Sequence, residues 1–125
     1  MKARALHIVL LLASAADDGW LAYRFAPTVR VAERPRRVLF FTASWCPHCG
    51  PTKTAMTNWL ATSPEPWQVD DTAGAHVQIV DSDRRPDLVR QYRVAGLPTV
   101  MLVDGGREVT RGNFRDVITR YAKGP

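Results

Sequence analysis

The sequence has only two cysteines, and they lie close together, at Cys46 and Cys49. It has no second Cys-x-x-Cys pair and no His-x-x-x-His pair, so the usual four ligands of a structural zinc site are missing. It also has no internal repeat and no low-complexity tract. With 125 residues, 46% of them hydrophobic, the chain fits one small globular domain.

Long apolar runs are absent too. The longest, residues 5–16, has 12 residues, whereas a membrane-spanning helix needs about 20. This run follows the basic start Met1-Lys2-Ala3-Arg4 and contains the small-residue site Ala13-Ser14-Ala15, which is the layout of a secretory signal. We therefore expect a signal peptide at 1–15, an N-terminal segment at 16–36 and a folded domain at 37–125. An uncleaved membrane anchor and a buried N-terminal helix are the alternatives.

The expected location is exported, periplasmic or otherwise extracytoplasmic, where a cysteine pair meets oxidising conditions. The net charge is +5, with 17 Lys and Arg against 12 Asp and Glu. Its one basic cluster, residues 33–37, has no aromatic-rich basic face beside it, so we interpret it as a solvated linker and expect no nucleic-acid partner.

The apolar pattern predicts alternating strands and helices. Val38–Thr42 is a continuous β-branched and aromatic run, typical of a strand buried on both faces. The further predicted elements are a strand at 28–31, a helix at 52–61, a strand at 76–80, a helix at 86–92 with Asp83 as its cap, a strand at 100–103, a hairpin turn at 104–106, a strand at 108–110 and a helix that Asn113 opens. This order predicts an α/β layer fold with parallel strands and one hairpin-paired strand.

The stretch SWCPHCGPT, residues 44–52, follows the buried strand directly and opens the next helix. Its two cysteines are compatible with a metal site, a structural disulfide or redox chemistry. Metal is disfavoured by the missing ligands, and a staple by the short loop, because closing two intervening residues removes little entropy from the unfolded chain. Redox chemistry explains the spacing better, since one thiolate attacks a disulfide and a second thiol one helical turn away resolves the product.

The residues around the cysteines predict a stabilised thiolate. Cys46 is expected at or next to the helix N-cap, where orphan N–H groups and the macrodipole lower a thiol pKa. Pro47 suits the first helical position, and His48 adds partial positive charge. Pro51 has no N–H to donate, so the carbonyl of Pro47 is expected to stay free and the first turn to be distorted, with a helix that settles as late as Thr52.

Two motifs resemble the thioredoxin family. Trp45-Cys46-Pro47-His48-Cys49 after the run VLFFTAS resembles its active site, and Gly96-Leu97-Pro98-Thr99 before VMLVDGG resembles its second signature. The resemblance covers residues 37–123. It implies a thioredoxin fold, a central mixed β-sheet flanked by helices, with a cis peptide bond before Pro98 facing the disulfide.

The resemblance also implies roles. Cys46 is then the nucleophile and Cys49 the buried resolving thiol, while Trp45, Leu97 and Pro98 bind substrate. Leu97 offers its backbone to an extended substrate segment as an added strand. The implied activity is disulfide exchange with protein substrates and a redox partner protein, by a monomer without cofactor or metal, and with membrane contact only if the N-terminal segment is uncleaved.

The sequence departs from the family pattern at several positions. Thioredoxins carry a buried Asp and a companion Lys where this chain has Phe40 and Ile79, so nothing obvious deprotonates Cys49. The Pro47-His48 dipeptide matches the DsbA-type oxidases, yet the chain has no room for their helical insertion. Where the family has a helix-kinking proline, this sequence has Thr54.

The sequence therefore predicts a thiol–disulfide oxidoreductase with tuning by Pro47 and His48, and leaves the direction of electron flow open. The alternatives are a thioredoxin-fold docking module with non-catalytic cysteines and, less favoured, a thiol carrier that delivers metal or haem.

Overall fold

The computed structural model describes residues 32–125. The expected signal peptide and the strand predicted at 28–31 lie outside the described residues. Within them are five strands and three helices: β1 (Arg36–Thr42), α1 (Cys49–Ala61), β2 (Val69–Asp70), β3 (Val77–Asp81), α2 (Pro86–Gln91), β4 (Thr99–Asp104), β5 (Arg107–Arg111) and α3 (Phe114–Ala122). All the elements predicted after residue 37 are present, and most are longer than predicted by a residue or more.

The one element missing from the prediction is β2, which has only two residues. Val69 and Asp70 pair in parallel with Val77 and Gln78 of β3. The Asp70 carboxylate accepts a hydrogen bond from the Thr72 backbone N–H at 2.8 Å, which turns the chain directly after the strand. A two-residue strand has no periodicity, so its sequence reads as part of a loop.

The five strands form one mixed sheet in the order β2-β3-β1-β4-β5. Strand β1 lies at its centre and pairs in parallel with β3 and antiparallel with β4. Strands β4 and β5 form the hairpin predicted at Gly105 and Gly106, which both adopt positive φ angles (59° and 80°). The α/β fold class with a mixed sheet between helices is thus confirmed.

Both faces of β1 are buried, as its apolar run predicts. Val38 and Phe40 contact one core with residues of α1 and α3, including Met56 and Ile118. The opposite face of the sheet packs against α2 and the turn that follows it. The residues of this second core are Leu39, Phe41, Val80, Leu88, Tyr92, Met101 and Val103. The sheet is therefore covered on one face by two helices and on the other by α2.

Polar side chains at the start of β1 are fixed by their neighbours. Arg37 is only 6% exposed, and its Nε donates to the side-chain oxygen of the buried Gln78 at 2.8 Å. Arg36 donates to the Tyr121 carbonyl at 2.6 Å and lies over the Tyr121 ring, 5.0 Å from its centroid. These contacts tie β1 to β3 and to the end of α3.

The last helix begins at the residue that the sequence indicates. Asn113 is the N-cap of α3, and its side chain accepts from the Arg115 backbone N–H at 2.8 Å, as predicted. Within residues 32–125, no helix combines the length and the apolar character needed to cross a membrane.

Candidate active site

The segment after β1 leads into α1 through two tight turns. The Cys46 backbone N–H donates to the Ala43 carbonyl at 3.1 Å, and the Cys49 N–H donates to the Cys46 carbonyl at 3.4 Å. The helix begins at Cys49, with His48 as its N-cap. The prediction that Cys46 lies at or next to the N-cap is therefore wrong by two residues.

Pro51 explains where the helix begins. It has no N–H to donate to the Pro47 carbonyl, so the first helical hydrogen bond runs from the Thr52 N–H to the His48 carbonyl, at 3.1 Å. Pro51 is then the third residue of the helix, where a missing N–H costs nothing. The first turn, expected to start at Pro47, is distorted as predicted, because Pro47 and His48 form a turn and not helix, whereas the predicted delay until Thr52 is wrong.

Cys46 and Cys49 form a disulfide with their Cα atoms 5.4 Å apart. Cys46 is 9% exposed and Cys49 is 1% exposed. Both pack with Ala43 and with the partly buried Leu97. The two cysteines therefore differ in exposure: Cys46 keeps a small solvent-accessible fraction, whereas Cys49 is closed in by apolar neighbours.

The turn between the cysteines is open to solvent. Pro47 and His48 are both exposed. No acceptor among residues 32–125 takes the Gly50 backbone N–H, which belongs to the first turn of α1. An unpaired N–H at a helix start favours negative charge nearby.

The second motif reaches the disulfide from β4. The peptide bond between Leu97 and Pro98 is cis, as the resemblance implies, and Thr99 begins β4 directly afterwards. Leu97 contacts the cysteine cluster. Two segments thus meet at one end of the sheet, with Cys46 on one and Leu97, 51 positions later, on the other.

Trp45, the residue before Cys46, is held by a hydrogen bond to Asp83. Its side chain is 67% exposed, and the indole Nε1–H donates to the Asp83 carboxylate at 3.0 Å. Asp83 was predicted to cap α2, but the N-cap of that helix is Arg85, without a side-chain cap. The contact between Trp45 and Asp83 follows from the topology, because β1 and β3 are parallel neighbours and the residues after such strands meet at the same edge of the sheet.

An apolar groove of about 280 Å³ adjoins this indole. It runs between Trp45 and the segment from Ser82 to Leu97. Its other lining residues are Asp83, Pro86, Val89, Val94, Ala95 and Gly96. The residue before Cys46 and the segment that follows β3 therefore line one groove.

The structure places an apolar pair at the two positions that depart from the family pattern, Phe40 and Ile79. Phe40 is fully buried and lies opposite Ile79 in the parallel pairing of β1 with β3. Neither side chain carries or moves a proton, so this part of the core holds no general base.

The remaining candidates lie away from the disulfide. His76 accepts a hydrogen bond on Nδ1 from the Gln68 N–H at 2.9 Å and packs edge-to-face against Trp67. A cavity of about 560 Å³ is lined by Arg37, Gln78 and Gly105 among others, and by none of the disulfide turn. Residues 32–125 contain no group of three His, Cys, Asp or Glu side chains placed to hold a metal ion.

Comparison with known proteins identifies the family. The thioredoxin family model matches residues 23–121. Thioredoxin H2-2 of Oryza sativa subsp. japonica is 28% identical over 110 residues, which cover 83% of this chain and 68% of the rice protein.

Solved thioredoxin structures show the same fold. The thioredoxin of Fasciola hepatica superposes with a TM-score of 0.54 at 23% identity, covering 86% of this chain and 93% of that one. The Schistosoma mansoni thioredoxin pre-protein gives 0.54 at 18% identity, covering 84% and 90%. The chain therefore belongs to the thioredoxin family and, with its Cys46–Cys49 disulfide, is a thiol–disulfide oxidoreductase.

Proposed function

We propose that this protein oxidises thiols in exported protein substrates, using the Cys46–Cys49 disulfide as the electron acceptor. The observation that carries the proposal is the asymmetry of the pair, with Cys46 at the surface turn Pro47-His48 and Cys49 fully buried. The exposed turn and the unpaired Gly50 N–H favour a Cys46 thiolate, which stabilises the reduced form. A pair whose reduced form is stabilised is an oxidant.

The reaction has two exchange steps. A substrate thiolate attacks Sγ of Cys46, a mixed disulfide forms, and the electron pair of the broken bond passes to Sγ of Cys49, which takes up a proton. A second substrate thiolate then attacks the substrate sulfur of the mixed disulfide, and Cys46 leaves as a thiolate. The substrate loses two electrons as it forms its disulfide, and the enzyme ends as a dithiol.

Phe40 and Ile79 affect the rate of the Cys49 step and not its direction. Without an internal base, proton transfer to and from the buried Cys49 depends on solvent or on the substrate thiol. This slows both formation and collapse of the mixed disulfide at Cys49, since the two share one transition state. The direction is set by the reduction potential of the pair.

Export fits this role, because disulfides are made outside the cytosol. The basic start and apolar run of residues 1–16 support an exported chain, and a redox partner protein there would restore the disulfide. Fractionation of cells expressing the full chain tests the location: a protein found only in the cytosol would contradict export.

The deciding measurement is the reduction potential of the Cys46–Cys49 pair against glutathione. We expect a value close to that of DsbA, about −120 mV, and a value close to that of thioredoxin, about −270 mV, would make the protein a reductant. Following the Cys46 thiolate absorbance against pH gives the pKa of the thiol as a second measurement. A thiol pKa near the free value of about 8.5 would contradict the stabilised thiolate.

A further inference from the structure

The groove beside the disulfide is bordered by α2, and the two sides of this helix carry different charge arrangements. Pro86 and Val89 line the groove. Arg85 and Asp87 line the large cavity away from the disulfide and pair with each other at 3.0 Å. The positive charge on that side is therefore already balanced by a carboxylate.

The groove side carries two arginines without such a partner. Arg90 follows Pro86 by four residues, so helical spacing puts it on the same side of α2 as that groove residue, whereas Arg93 lies beyond the end of the helix and directly precedes Val94, which lines the groove. Both are exposed, and neither forms a salt bridge within the part of the chain that the structure describes. The one acid that lines the groove, Asp83, is hydrogen-bonded to the Trp45 indole.

Arg93 also has an unusual backbone conformation. Its φ is 51°, in the left-handed region where glycine or asparagine is usual after a helix. The next two residues, Val94 and Ala95, line the groove. A long cationic residue therefore directly precedes the groove lining, at a position whose backbone favours glycine or asparagine.

We propose that the groove selects acidic polypeptide substrates: an apolar side chain beside the substrate cysteine enters the groove, and neighbouring carboxylates contact Arg90 and Arg93. This inference rests on the proposed exchange with polypeptide thiols and adds the substrate class. Charge complementarity supports it, since two arginines without a salt bridge among residues 32–125 stand against one groove carboxylate, Asp83, and leave a net positive charge.

Two synthetic peptides test the selection. Each has about eight residues, one cysteine and an adjacent leucine, and they differ only in carrying two glutamates or two glutamines beside that pair. Two peptide thiols reduce one Cys46–Cys49 disulfide and leave as one peptide disulfide. The loss of the protein disulfide is followed by alkylation and mass spectrometry, and each rate is divided by that peptide's rate with bis(2-hydroxyethyl) disulfide, which removes differences in thiol pKa.

We expect the glutamate peptide to react about three- to tenfold faster at low ionic strength, and the ratio to approach one at about 0.5 M salt. In R90Q/R93Q the ratio should fall to near one. In the control R107Q/R120Q, which removes the same charge away from the groove, it should stay at the wild-type value. Arg93→Asn, which suits the left-handed backbone, should give an intermediate ratio without loss of fold.

The outcomes separate the two proposals. If both peptides react above background at equal rates in the wild type, the exchange activity stands and acidic selection is overturned. If the preference survives in R90Q/R93Q, or falls equally in R107Q/R120Q, overall charge and not this helix face is responsible, and the inference is again overturned. If neither peptide reduces the disulfide above background, the proposed exchange with polypeptides fails, and the inference fails with it.

Discussion

The two ends of the central sheet differ in whether their side chains are paired within the protein or exposed to solvent. Where β1 and β3 begin, polar groups are paired inside the protein: Arg37 with Gln78, and Arg36 with the Tyr121 carbonyl. Where these strands end, the disulfide turn exposes Trp45, Pro47 and His48. The first end, the paired end, fixes the strands to each other and to α3. The second, the disulfide end, presents exposed side chains beside the disulfide, where the proposed substrate would bind.

Cys46→Ser has the largest expected effect on the disulfide end. Without the accessible sulfur no mixed disulfide forms, so exchange with thiol substrates should fall to the uncatalysed background. The measurement is oxidation of a peptide dithiol with glutathione disulfide as the terminal oxidant, with circular dichroism to verify the fold. Cys49→Ser is the control, because it keeps the Cys46 thiol and should accumulate a mixed disulfide when it is given the same peptide in its disulfide form. A Cys46→Ser protein that still binds substrate and also retains exchange would contradict the assigned nucleophile.

The disulfide end was largely predictable from the sequence, and the paired end was not. Cys46, Cys49 and Pro98 lie in motifs whose spacing carries chemistry, so a local pattern identified them. The Arg37–Gln78 contact joins residues 41 positions apart and depends on the register of β1 against β3, which no local pattern contains. Asp83 was assigned to the wrong element for the same reason, since its partner Trp45 lies on another segment.

Phe40→Asp should give the largest loss of stability, and it asks whether the core of this chain can accommodate the family's buried acid. Phe40 is fully buried among apolar residues, so we expect the free energy of unfolding to fall by about 3–5 kcal/mol. Burial would raise the pKa of the new carboxyl above its unfolded value of about 3.9. The loss should therefore grow as pH rises through that value, because the unfolded chain then ionises more readily than the folded one.

Urea unfolding at several pH values measures the effect of this substitution. Phe40→Leu is the control, since it removes volume without adding charge and should give a smaller loss that does not depend on pH. An aspartate variant as stable as the leucine variant at neutral pH would show that this position already accommodates a carboxylate.

Gln78→Leu breaks the paired end while leaving the disulfide end intact. It removes the oxygen that accepts from Arg37 Nε and leaves a buried charged donor unsatisfied, which should cost about 1–3 kcal/mol of unfolding free energy. The rate of thiol exchange should be unchanged, because the contact lies at the other end of the sheet. Gln91→Leu, at an exposed position of α2, should change stability by less than about 0.5 kcal/mol. An equal loss in both variants would mean that the Arg37 contact adds little.

His76 should give the smallest effect, a pH dependence of the unfolding free energy that arises at the start of β3. Burial, and secondarily the positive charge of Arg34, lower its pKa, while Glu65 acts in the opposite direction. Its Nδ1 accepts the Gln68 N–H, which a protonated Nδ1 cannot do. The unfolded chain, with a histidine pKa of about 6.5, therefore binds the proton more readily than the folded protein. The stabilisation is present above that pH and is lost as pH falls through the folded pKa.

Urea unfolding of the wild type from about pH 7.5 to about pH 5 should show this decline. His76→Gln, whose side-chain oxygen is also an acceptor, should flatten it, and His48→Gln, at the exposed turn, should not. A decline of equal slope in both variants would assign the pH dependence to other groups. If the slope disappears with His76 alone, the polar contacts at the start of β3 are linked to folding.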